Sequence, residues 1–209
     1  MSPFRRRQGR IFSYSVIVVF RRTGQRRYAV EAQRPGLPDL VMNPAPGYDP
    51  LMPHDMMHLI VEAQLGLTRG VFGQLAAGGD AGTFHLPLRQ GKSARETARA
   101  RTRIKARGAK LLKEGRDDSA RSERATFICW QAWLAQSASG DLRKRAKTMD
   151  ENAQHVKAVA TAAELLALNQ EKLHELFGHL DRLSSEWSRL EVGQSMGVCW
   201  PDLALVTAL

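Results

Sequence analysis

An α+β architecture is expected for this chain: a small antiparallel sheet, built from an N-terminal hairpin and a C-terminal strand, packed with helices. The helices include a long, heptad-patterned one near the C-terminus. Three observations on the 209 residues support this. Two β-rich runs near the N-terminus flank a Thr-Gly pair. Apolar residues recur at helical spacing over much of the remaining chain. A last apolar run, Met196 to Trp200, follows Gly193 and is closed by Pro201.

Ile11 to Phe20 and Arg27 to Gln33 read as the two strands of the hairpin, turning near Thr23-Gly24, where glycine supplies the positive φ of a tight turn. Phe12, Tyr14, Val16, Val18 and Phe20 share one face of the first strand. In the second, Tyr28, Val30 and Ala32 alternate with Glu31 and Gln33, the pattern of a half-buried antiparallel pair. Residues 34–53 hold six prolines. Proline lacks an amide donor and restricts its predecessor, so an ordered but irregular crossing segment is expected.

Pro53 suits the first turn of a helix, with Asp55 at the positive end of its dipole. That helix should run to about Gln64 or Leu65 and stop near Gly66. A second short helix is expected from Thr68, a plausible N-cap, to about Ala77, ending at Gly78-Gly79. Residues 80–93 read as a loop. Residues 94–116 are arginine-rich and able to form a helix, though Ile104, Leu111 and Leu112 are thin apolar content. A helix from Ala125 to Gln136 carries Phe127, Ile128, Trp130, Trp133 and Leu134, and Ser137 to Gly140 breaks it. Leu166, Leu173, Leu176, Leu180, Leu183, Trp187 and Leu190 keep heptad steps if Asn169 fills one missing position. One helix over about 150–191 is expected, packed against another helix. Residues 1–91 and 125–209 are expected to share one domain, with 92–124 as a basic arm or insert.

Net charge is +10 but is segregated: +8 over residues 1–34, −3 over 35–91, +7 over 92–124 and −2 over 125–209. The basicity therefore belongs to particular segments. Cys129 and Cys199 each lie beside tryptophan and form no CxxC pair, which suits core thiols in a reducing compartment. Arg5, Arg6, Arg7 and Arg10 precede the run Ile11 to Phe20, as in a secretion signal. However, Ser13, Tyr14 and Ser15 interrupt that run and no small-residue cleavage site follows closely, so a strand is expected. No stretch approaches the roughly 20 apolar residues of a membrane span. A cytoplasmic protein without membrane partners is expected.

The residues most suggestive of chemistry are His54, His58 and Glu62, at four-residue steps on the helix after Pro53. They fall along one stripe. Imidazole and carboxylate are the usual ligands of zinc or iron, and histidines at i and i+4 can reach one ion. His54 and Glu62 are separated by roughly 12 Å along the helix axis, so one ion can hardly take all three. Either His54 and His58 bind with Glu62 in support, or His58 and Glu62 bind, and a further ligand must come from elsewhere, with Asp49, Asp80 and His85 nearby in sequence. The alternative is a structural polar network in which all three groups are hydrogen-bonded. His174 and His179 lie well round their helix from each other, and His155 is isolated.

The HDxxH pattern His54-Asp55-Met56-Met57-His58 is similar to the zinc-type motif of a coenzyme-Q biosynthesis scaffold family. That family's pattern continues with a glutamate twelve residues after the second histidine. Gly70 stands there, so the resemblance stops at the motif. The wider stretch, Pro53-His54-Asp55 through Val61-Glu62 and on to Ala76-Ala77-Gly78, resembles a group of uncharacterised bacterial proteins sharing a PHDxxHxxVE helix motif. That resemblance covers Pro53 to Gly78 and implies no activity.

Arg95, Arg99, Arg103 and Arg107 share one helical stripe that could follow a nucleic-acid backbone, although no aromatic residue accompanies it for base stacking. The leading expectation is a non-enzymatic binding or interaction protein, with a protein partner or a homodimer through the long C-terminal helix. One alternative is a metal-dependent, hydrolase-like enzyme using a divalent ion, zinc or iron, on the His54, His58 and Glu62 helix. The other is a nucleic-acid-associated protein working through 92–124.

Overall fold

A computed structural model describes residues 15–87 and 93–206. The N-terminal arginines and residues 11–14 of the first expected strand lie outside them. The architecture is α+β, as expected. Five antiparallel strands are ordered β3-β2-β1-β4-β5: β1 (Val16–Gly24), β2 (Arg27–Gln33), β3 (Leu40–Ala45), β4 (Ser195–Trp200) and β5 (Ala204–Val206). The N-terminal hairpin sets β1 against β2, with Phe20 opposite Val30. The other side of β1 pairs with β4, with Val18 opposite Val198. The central strand thus joins two ends of the described chain.

The proline-rich crossing is more regular than its composition implies. It contains β3, which pairs with β2 at Val30–Met42 and Tyr28–Ala45, with a register shift between. Asn43 and Pro44 fall in that bulge, where a missing amide leaves no ladder hydrogen bond unmade. Within the expected loop at 80–93, His85 makes a bridge to Val41, by amide-to-carbonyl bonds of 2.8 and 2.9 Å.

Helix α1 (His54–Leu65) follows Pro53 and ends at Gly66, whose φ of 63° is the left-handed C-cap that glycine favours. Helix α2 (Val71–Ala76) starts from Gly70, not from Thr68. The arginine-rich segment forms α3 (Ala94–Glu114), opened by a Ser93–Glu96 capping box, and it buries only Gly108. Helix α4 (Arg116–Ala135) begins nine residues before the expected Ala125. Its first half lacks an apolar stripe because Ser122 is the one buried side chain before Ala125. Asp117 and Asp118 support its first turn through the helix dipole.

The single helix expected over 150–191 is three. After α5 (Gly140–Thr148) come α6 (Asp150–Val159), α7 (Ala162–Ala167) and α8 (Gln170–Arg189). Thr161 and Glu164 form a capping box at α7. The Asn169 side chain accepts from Lys172 N–H at 2.9 Å and caps α8. The residue that looked like a polar heptad position is a helix start. Leu166, 75% exposed, belongs to no core stripe. Leu176, Leu180, Leu183 and Trp187 of α8 are buried in the chain's own core, which occupies the face expected to meet a partner helix.

One hydrophobic cluster draws on β1, β2, β4, α1, α4 and α8. Trp187 meets Tyr28 edge-on, with ring centroids 6.0 Å apart. Helix α1 is buried continuously from Met56 to Glu62, so His58 and Glu62 point into packed surroundings. Cys129 is buried and Cys199 half-buried, both as free thiols, and burial pushes the Cys129 thiol up to about 12. Among the described residues, no helix is long and apolar enough to cross a membrane.

Candidate metal centre

The start of α1 is held at two points. His54 N–H donates to Gly47 O at 3.1 Å. Gly47 has φ of +72°, and a Cβ there would lie 2.6 Å from His54 Cβ, so this turn requires glycine. The Tyr28 hydroxyl of β2 lies within hydrogen-bond reach of both the Asp55 carboxylate and Pro46 O, with one proton to share between them. Burial, then the Asp55 charge, raises the Tyr28 hydroxyl. Burial also raises Asp55 above the usual carboxylate range, against the Tyr28 hydrogen bond.

His58, 4% exposed, faces α4. Its Nδ1 lies 2.8 Å from Ser122 Oγ and 3.3 Å from Thr126 Oγ1. Ser122 Oγ in turn donates to Glu62 Oε1 at 3.0 Å. A hydroxyl has one proton, and here Glu62 takes it. Ser122 Oγ is therefore left to accept from His58 Nδ1–H. With Glu62 ionised, that assigns the tautomer: Nδ1 carries the proton and Nε2 presents a lone pair. Nε2 is buried without a hydrogen-bond partner. Burial and the neighbouring His54 push His58 down to about 3, so its 3.6 Å approach to Glu123 Oε2 joins a neutral ring to a carboxylate and is no ion pair at neutral pH.

The orphan nitrogen is not isolated. The rings of His54 and His58 are 4.5 Å apart between centroids. One ligating atom each from His54, His58 and Glu123 lies within 4.8 Å of the other two. A tetrahedral ion with bonds near 2.1 Å sets its donors roughly 3.4 Å apart. His54 and Glu123 are exposed and can close that distance by rotamer changes, while His58 is fixed. The Nδ1–H to Ser122 to Glu62 relay is the kind of outer contact that orients a ligating imidazole.

Glu62, the third residue singled out in the sequence, stands behind the cluster and not in it. It is 0% exposed. Oε1 accepts from Val71 N–H at 2.9 Å and Oε2 from Phe72 N–H at 3.0 Å, so the carboxylate caps α2. A Cβ on Gly70 would sit 2.3 Å from Glu62 Cδ, and only glycine admits this approach. Burial pushes Glu62 up to about 7, opposed by its three hydrogen bonds. The capping role also explains why α2 starts at Val71.

The nearby alternatives lie elsewhere. Asp49 pairs with Arg145 at 2.5 Å, Asp80 Oδ1 accepts from Gly82 N–H, and His85 lies on the edge of β3. The third donor, Glu123, comes from α4. It neighbours Ser122, which faces His58, and its own sequence setting does not distinguish it from a solvated charge. In α3, Arg95, Arg99, Arg103 and Arg107 are exposed, and Arg107 Nε donates to Ala77 O, fastening that end of the stripe to α2. No protein-family model, curated protein or solved structure matches the chain.

Proposed function

We propose that this protein binds one divalent transition-metal ion through His54, His58 and Glu123 and uses the remaining coordination positions for hydrolytic chemistry. The observation that carries the reading is His58 Nε2: a buried lone pair without a hydrogen-bond partner, beside two further ligating groups. Two imidazoles and one carboxylate suit zinc or ferrous iron and leave room for water or substrate. A bound ion would supply a nucleophilic water at neutral pH. The chain's own contribution is to hold His58 in one tautomer through Ser122 and Glu62. Asp55, close enough to His54 and Glu123 to feel their charges, stays partnered by Tyr28. Elemental analysis after loading with zinc should find one ion per chain, and none in His58→Ala or Glu123→Ala. Loss of neither ion in those variants would end the proposal.

A second reading, a non-enzymatic nucleic-acid partner, is favoured by α3. Ten charged residues, Arg95, Glu96, Arg99, Arg101, Arg103, Lys105, Arg107, Lys110, Lys113 and Glu114, are exposed along one helix, and eight of them are basic. Phosphate binding there would give a log affinity falling linearly with log salt. Replacing Arg95 and Arg99 by alanine should reduce that slope by about 2. Undetectable binding at low salt would dismiss it.

A further inference from the structure

A cavity of about 480 Å³ opens between the C-terminal half of α1, α2, the end of α3 and the end of β4. None of the three proposed metal donors lines it. Its wall is mainly apolar, with Ala63, Ala76, Ala77 and Leu111 among the lining residues. That size is in the range of small-molecule sites, which pair apolar walls with a few placed polar groups.

Two such groups are present and unused. Gln74, 1% exposed, donates from Nε2 to Arg69 O at 3.0 Å, while its Oε1 has no partner. Trp200, 4% exposed, has an unpartnered indole N–H. Both residues line the cavity. Buried polar atoms without partners are rare in folded proteins. Only four side-chain atoms of this kind occur among the described residues, and two of them belong to residues that line this cavity. They are also complementary in type: an acceptor on Gln74 and a donor on Trp200.

We infer that this cavity binds a compact, uncharged, largely apolar molecule whose carbonyl or ether oxygen accepts from Trp200 Nε1–H and whose N–H or O–H donates to Gln74 Oε1. Both protein atoms are shielded from solvent, so engaging the ligand requires their side chains to rotate, which on the Gln74 side releases the bond to Arg69 O. Arg69 and Glu114 also line the cavity but are exposed, so the buried part of the wall is the apolar one and favours an uncharged ligand there. Glu62 also lines the cavity, and its oxygens are already engaged with Val71, Phe72 and Ser122. The site therefore stands apart from the metal reading and survives its failure.

The test uses 2-quinolinone and 1-naphthamide, fused apolar bicycles that each carry one carbonyl and an N–H, with naphthalene as the apolar control. Ligand-observed NMR titration of the full chain should give saturable binding with a dissociation constant of roughly 0.1–1 mM for molecules of this size. The Trp200 indole N–H resonance, assigned by its loss in Trp200→Phe, should move on titration. Trp200→Phe and Gln74→Leu should each weaken binding roughly three- to tenfold. Ala63→Phe, which fills the cavity, should remove it, and Ala77→Leu provides a second filler should the first fail to fold. Absence of saturable binding by both probes would overturn the inference. So would binding that is unchanged in a folded filled-cavity variant, or naphthalene binding equally well with no response to either polar substitution.

Discussion

His58 and Glu62 sit one turn apart on α1, both buried, and burial drives their proton affinities in opposite directions. His58 binds its proton at about 3 when folded, against 6.5 for a free imidazole. Between those values the unfolded chain holds more protons, so stability falls as pH drops below about 6.5. Glu62 titrates at about 7 when folded, against 4.5 when free. There the folded chain holds more protons, so this contribution is complete below 4.5 and lost as pH rises through 7. The two together place maximal stability on the mildly acidic side of neutrality. In urea unfolding from pH 4 to 8, Glu62→Gln should lower stability by about 1–3 kcal/mol at pH 6, through its disturbed hydrogen bonds, and flatten the decline toward pH 8. An unchanged decline would assign it to another group. At this scale the sequence displayed the helix stripe and the impossibility of one ion reaching all three groups. It did not display Glu123, because a ligand from a second helix is set by packing, and an exposed glutamate in an arginine-rich segment looks like any solvated charge.

Among the elements, those with clean periodicity were legible. The β1–β2 hairpin follows from alternation, and α1 from Pro53 at its start and Gly66 at its end. β3 was hidden because Pro44 and the prolines flanking the strand suggest irregular chain, while an edge strand with a bulge accepts Pro44. The first half of α4 was hidden because its inward face is partly polar. The join at Asn169 was misread because a cap and a polar heptad position look alike in sequence. These two roles have opposite consequences for Asn169→Ala. Within a continuous helix, alanine would stabilise by several tenths of a kcal/mol. As the cap of α8, Asn169 should cost about 1 kcal/mol on replacement, read as a lower urea midpoint. An increase would restore the single long helix.

For the whole molecule, the decisive event is β1 lying between β2 and β4, which draws chain segments far apart in sequence around one core. α1 is pressed between that core and α4, which brings His58 to Ser122 and sets Glu123 beside the two histidines. The α+β class was readable from composition and periodicity; the α1–α4 juxtaposition was not, since it depends on the folding of every element between. The proposed centre is therefore a product of tertiary packing, and one titration addresses it. Metal-free protein is titrated with zinc by calorimetry, alongside His58→Ala, Glu123→Ala and, as a control, His85→Ala, whose side chain lies outside the cluster. One ion per chain is predicted for the parent and for His85→Ala, with saturable binding lost in the other two. Absence of saturable binding in the parent, or equal binding in all four proteins, would contradict the assignment of His54, His58 and Glu123 as a metal centre.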